Sequence, residues 1–258
     1  MTICIAAIGK DENDTEAIVF ATDHMVSLPI IGQFEMPVEK YKKINDNAIA
    51  MLAGESLLFN DIIDQCRNNC SFDQMKEKIR QKMFNIREER IQKQLLDTYK
   101  MTYVNVMDLL KNPLQNPYAT NIIKFISEYT LSTLILLIGF RNNQAQIVEI
   151  TENKIGEIRD IGFDAIGSGG LQAMNTLLFQ KHSKNNELST TIYNVYKAKR
   201  NAEVAAGVGK ETDMMILRES GLEKIDEDRV KILANIYEEE LNYGKSNEKL
   251  KNVIKKVI

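Results

Sequence analysis

Thr2 directly follows Met1 in the opening stretch MTICIAAIGK. A methionine ahead of a residue as small as threonine is normally removed by methionine aminopeptidase, which would leave Thr2 with a free α-amine beside its own hydroxyl. In a buried cleft that pair supplies a nucleophile and a base within one residue. The same residue also suits the start of an ordinary strand, so its neighbours have to decide. The other reactive side chains offer less. Cys4, Cys66 and Cys70 are an odd number of thiols in a chain without an export pattern, which argues for reduced cysteines rather than a disulfide framework. Cys66 and Cys70, four apart in a stretch read as helix, could direct two thiolates at one metal. A closed zinc site needs four ligands, and His24 and His182 come without paired partners, so helix packing is the better reading and no metal or cofactor is expected.

A nucleophile needs a scaffold, and the chain is long enough to build one. Its 258 residues, 44 % apolar and 27 % charged with a net charge of -3, fit one large α/β or α+β domain with a sizeable core. Lysine and arginine are interleaved with acids, without a basic stripe or aromatic platform, so nucleic acid is not an expected partner. The strongest apolar run, LSTLILLIGF at 131–140, is far shorter than the roughly 20 residues of a membrane-spanning helix and reads as a buried strand. No cationic region precedes the apolar N-terminal stretch, which leaves the cytoplasm as the expected location and no membrane partner.

Periodicity places the elements. TICIAAI and AIVFATD, separated by the polar GKDENDTE, read as a hairpin. AIAML continues as a strand into Ala53 and Gly54, and a first helix follows it with Leu57, Leu58 and Ile62 on its apolar face. Ser71 is a natural N-cap for a long amphipathic helix carrying Phe72, Met75, Ile79, Met83 and Ile86. Residues 95–128, broken by Pro113 and Pro117, read as a helical insertion ahead of the next strand. Strands around ENK, two helices and the strand TDMMIL complete the body, and a helical tail runs from Asp226 to Ile258, divided at Gly244. Two antiparallel sheets with a helical layer on each outer face would satisfy this order.

In this order the sequence resembles the proteasome-type N-terminal nucleophile (Ntn) hydrolases, meaning proteasome β subunits and related bacterial peptidases. The resemblance spans Thr2 to about Leu217 and rests on FATDHMVS, KYKKI, AMLAGE, AIGSGG and the stretch YKAKRNAEVAAGVGKETDMMIL, in register with Thr2. Singly, each is weak: an aspartate at a strand end is usually a turn-former, a lysine before a strand is usually solvated, and Gly-Ser-Gly-Gly also suits phosphate. Together they imply an α+β fold, a four-layer αββα sandwich over residues 1–220 with a helical C-terminal extension at 221–258. They also imply a nucleophile at Thr2, supporting residues Asp23, Lys40 and Ser168, an oxyanion donor at Gly54, and Leu52 at the floor of the substrate pocket. The chemistry fits these types: the amine takes the hydroxyl proton, the Lys40 cation lowers the hydroxyl pKa, and Asp23 holds that lysine by a charge-assisted hydrogen bond.

The chain departs from the family at several points. The supporting aspartate and serine ahead of the last strand fall on Ala205 and Val208, with Glu203 able to substitute only if the helix end shifts. Ile3 replaces a small or hydroxylated residue, and the first hairpin tip is longer than is common, a change that loops tolerate. The resemblance therefore implies a threonine peptidase acting on peptides or unfolded protein, in a homo-oligomeric ring or related assembly with an ATP-dependent unfoldase as a candidate partner. The alternatives are an acyl-transfer or ligase-type enzyme sharing the same first half-reaction, and a catalytically weak structural subunit.

Overall fold

The computed structural model describes residues 2–28, 32–66, 70–111 and 117–246. Met1, Pro113 and the chain end at 247–258 lie outside them, as does part of the stretch read as the first helix. Short β-branched runs fold back on themselves as β1 (Ile3–Lys10) and β2 (Glu16–Asp23), antiparallel with Cys4 opposite Thr22 and Lys10 opposite Glu16. The polar tip between them is closed by Asp11, whose Oδ1 accepts the N–H groups of Asn13 at 2.9 Å and Thr15 at 3.0 Å, as aspartate does in turns.

With β10 (Phe163–Gly167), β11 (Thr212–Arg218) and β12 (Gly221–Ile225), this hairpin forms an antiparallel sheet ordered β10-β1-β2-β11-β12. A second antiparallel sheet runs β5-β6-β7-β8-β9, built from Tyr41–Asn45, Ala48–Ala53, Leu134–Arg141, Gln144–Ile150 and Ile155–Glu157. Strands β3 (Met25–Leu28) and β4 (Gly32–Glu35) make a separate hairpin.

The period-2 alternation of the strands explains how they pack. In β1, Ile3, Ile5 and Ala7 face helices, while Cys4, Ala6 and Ile8 face the other sheet. In β6, Ala48, Ala50 and Leu52 face helices, while Ile49, Met51 and Ala53 face the first sheet. Strands covered on both sides read as continuous apolar runs, which is why the alternation is faint in the sequence. Helices α1 (Leu58–Ile63) and α2 (Phe72–Ile91) close the core of the second sheet, and α5 (Gly170–Phe179) and α6 (Leu188–Ala202) that of the first. The fold is α+β. No helix among the described residues is long and apolar enough to cross a membrane.

Within 95–128 the described residues form α3 (Tyr103–Lys111) and α4 (Pro117–Glu128) around a small core of Leu96, Val106 and Ile122. Arg87 of α2 ties this unit down, its Nε donating to the Tyr129 carbonyl at 2.9 Å. After Ile91 the helix widens through a π turn (Gln92–Leu96) and then tightens through a 3-10 turn (Asp97–Tyr99).

Three further differences stand out. The strand read over 131–140 begins at Leu134, because Ser132 adopts φ +50°. Residues 221–225, assigned to the helical tail, form β12 on the edge of the first sheet. The tail helix α7 (Glu227–Ser246) continues through Gly244 and packs on α6, with Tyr237 Oη donating to Asn201 Oδ1 at 2.7 Å. Packing on a neighbour offsets the modest helical penalty of one glycine.

Candidate active site

Asp23 ends β2 with no solvent exposure, and its carboxylate gathers donors from four parts of the chain. Oδ1 accepts the Thr2 hydroxyl at 2.8 Å, the Ile3 N–H at 3.0 Å and the Lys40 ammonium at 2.6 Å. Oδ2 accepts the N–H groups of Gly209 at 2.8 Å and Met25 at 3.2 Å. Burial alone would raise the Asp23 pKa; the Lys40 charge and hydrogen bond, with the Gly209 and Ile3 N–H groups, outweigh it and hold the carboxyl below its ordinary range. The anion is fixed.

The strands explain the convergence. Lys40 lies one residue ahead of β5, and its carbonyl accepts the Leu52 N–H at 3.2 Å, so the pairing with β6 extends to it. Its side chain is 11 % exposed and shares Asp23 Oδ1 with Thr2. Thr2, 4 % exposed, sits one residue ahead of β1 and is pressed against β10: at Gly167, φ +102°, a Cβ would lie 2.2 Å from the Thr2 carbonyl oxygen. Ser168 Oγ donates to that same carbonyl at 3.4 Å.

Beside Thr2 is a cavity of about 230 Å³ lined by Ala53, Gly54, Ser132, Leu134, Gly167 and Ser168 as well as Thr2. Gly54 holds φ +124°, where a Cβ would lie 2.5 Å from the Ser132 carbonyl oxygen, so a larger residue is excluded on both conformational and steric grounds. The next residue, Glu55, donates its N–H to Thr133 Oγ1 at 3.4 Å, and its side chain pairs with Arg90 of α2 at 2.8 Å.

Of the residues singled out from the sequence, Thr2, Asp23 and Lys40 meet directly, and Gly54 and Ser168 line the cavity next to them. Leu52 does not line it. Its side chain points to the helical side of β6, into the core with Phe59 and Ile62, and the lining positions are Ala53 and Leu134. Ala205 and Val208 pack as apolar residues, Val208 against Gly169, and Glu203 turns to Lys199 at 2.7 Å rather than to Thr2. Cys4, two residues from Thr2, is fully buried between the sheets, and burial pushes its thiol up to about 12, which keeps it unreactive.

Three contributors escaped the sequence. Gly209 donates to Asp23, and its signal was the pair Gly207 and Gly209 just before a strand. Ser132 reaches the cavity because β7 starts only at Leu134, leaving 129–133 outside the strand. Lys199 is buried behind Asp23; it interrupts the apolar stripe of Val195 and Ala202 with Glu203 four residues on, a pattern that could have flagged it.

No protein-family model matches the chain, and a search of curated proteins finds no significant relative.

Proposed function

We propose that the protein is an N-terminal threonine peptidase of the proteasome type, active after the Met1–Thr2 peptide bond is cleaved, and that its facing sheets and outer helices are the αββα sandwich of that family. The observation that carries this reading is the meeting of the Thr2 hydroxyl and the Lys40 ammonium on one buried oxygen of Asp23.

In this mechanism the freed α-amine, directly or through a water, takes the hydroxyl proton as Oγ1 attacks a peptide carbonyl. Lys40 stabilises the alkoxide character of Oγ1, and Asp23 fixes Lys40 without itself becoming protonated. Negative charge develops on the carbonyl oxygen opposite the Gly54 N–H; losing one such donor typically costs about 2.7–4 kcal/mol of transition-state stabilisation. The amine then returns the proton to the leaving nitrogen, leaving an acyl-threonine ester that water hydrolyses to regenerate Thr2. The substrate class is an extended polypeptide, since small residues at Ala53, Gly54 and Gly167 leave the cavity open to backbone approach.

Incubation with an unfolded protein, followed by mass spectrometry of released fragments, tests the reading. New termini should accumulate with the wild type and not with Thr2→Ala. Equal fragment release by both proteins would place the nucleophile elsewhere.

A further inference from the structure

Lys199 has no solvent exposure, on the packed face of α6 in its last turn. A cation in such a place is costly unless several partners hold it. Its Nζ donates to Glu203 Oε1 at 2.7 Å and to the carbonyl oxygen of Lys210. The N–H of Lys210 is bound from the opposite side by Glu35 Oε1, which also accepts the Glu211 N–H at 3.0 Å. The peptide following Lys210 is therefore clamped between two charged groups, and Glu35 also holds the peptide that joins Lys210 to Gly209. That clamp bears directly on the site, because the neighbouring Gly209 N–H is the donor to Asp23 Oδ2 at 2.8 Å. Gly209 admits no side chain: a Cβ there would lie 2.4 Å from Glu35 Oε1 and 3.1 Å from the Met25 nitrogen.

We propose that Lys199 is a positioning residue for the Thr2 site. Its buried ammonium holds the loop so that the Gly209 N–H stays on Asp23 while Oδ1 serves Thr2 and Lys40. The catalytic consequence rests on the reading of Thr2 as nucleophile; the effect on Asp23 does not.

The groups that face the pair are few. Asp23 sees Lys40 ahead of β5, Thr2 and Cys4 on the β1 side, and Lys199 from α6. Lys199 sees Glu203 and Arg200 on its own helix and Asp23 on β2. Burial pulls Lys199 below the ordinary lysine range, with Glu203 and Asp23 opposing that fall. Charges thus alternate from Lys40 through Asp23 and Lys199 to Glu203.

The test is a carbon-13 NMR titration of the aspartate carboxyls in the full chain, with Asp23 assigned by its loss in Asp23→Asn. In Lys199→Met the Asp23 midpoint should rise by about one unit, a tenfold weaker acid, from loss of one nearby cation and of the Gly209 hydrogen bond. Lys76→Met, which removes another buried lysine far from the site, should leave it in place. An Asp23 midpoint unmoved by Lys199→Met would overturn the proposal. Should Lys199→Met fail to fold, Glu203→Gln decides by sign: with the cation retained and a competing anion removed, the Asp23 midpoint should fall, and a midpoint that stays or rises would overturn the proposal.

Wild-type labelling of Thr2 by a β-lactone, measured in parallel, separates the two levels. An Asp23 shift without any Thr2 adduct would sink the peptidase reading and leave Lys199 in place. An adduct with an unmoved Asp23 would do the reverse, and where both hold, labelling in Lys199→Met should slow about tenfold.

Discussion

A carboxylate with no exposure persists in an apolar sandwich when its charge is matched and its lone pairs are filled, and Asp23 meets both conditions. The matching groups are then constrained by it, which makes the lysines of 40–43 a sharp comparison. Lys40→Ala should reduce labelling of Thr2 by more than a hundredfold, since it removes the cation beside the hydroxyl. Lys42 instead bonds Asn60 and lies over the Phe59 ring at 5.1 Å, and Lys43 pairs with Asp46 at 2.6 Å. Alanine at 42 or 43 should change the labelling rate less than threefold, the scale of an exposed ion pair. A large loss at 42 with little at 40 would show the lysine register to be wrong. The glycines are equally specific: Gly167→Ala should displace Thr2, because the added carbon would stand 2.2 Å from its carbonyl oxygen, and the rate should fall with it.

Among elements, those with a local signature were legible and those made by pairing were not. Ser71 and Gln74 form a capping box, the serine hydroxyl accepting the Gln74 N–H at 3.3 Å and the glutamine oxygen the Ser71 N–H at 2.9 Å, so the start of α2 could be read directly. Ser71→Ala should lower stability by about 1 kcal/mol in urea unfolding with an unchanged slope; no change in the midpoint would mean that the box is not formed in solution. By contrast, β12 is polar and short, and it exists because β11 offers an open edge, with Met214 opposite Ile225 and Arg218 opposite Gly221. The β3–β4 hairpin has no alternation to betray it either; it is tied in by Glu35, which reaches across to Lys210 and Glu211. Leu52 shows the same limit at one position. Its place in β6 was legible, but which face it took depends on the register with β7, where it stands opposite Ile135.

At the scale of the whole molecule, one acidic group records how closely the sheets pack. Asp164 of β10 is buried, its Oδ2 has no partner among the described residues, and burial pushes its carboxyl up to about 6. The folded value lies above the unfolded one of about 3.9, so the native state binds the extra proton between these two values. The stability linked to this group is therefore fully present below about pH 4 and is lost as pH rises through 6. Asp164→Asn should be more stable than the wild type at pH 7 by up to about 2–3 kcal/mol, a gap that closes towards pH 4. Urea midpoints at the two pH values measure it, and an equal gap at both would rule out this titration.

The two-sheet arrangement was itself legible from the order of strand and helix patterns, whereas the approach of Thr2, Asp23 and Lys40 followed only from the resemblance to the Ntn hydrolases. What stayed hidden is the loop at 203–211, whose Gly209 N–H and Lys199 clamp depend on the docking of α6 onto the sheet.

The central claim is that Thr2 becomes an amino-terminal nucleophile. Intact mass spectrometry of the purified protein, before and after an epoxyketone that requires both the hydroxyl and the amine, tests it most directly. The account predicts a mass lacking Met1 and one stoichiometric adduct mapping to Thr2; retained Met1 with no adduct would contradict it and leave Thr2 as the residue that starts a strand.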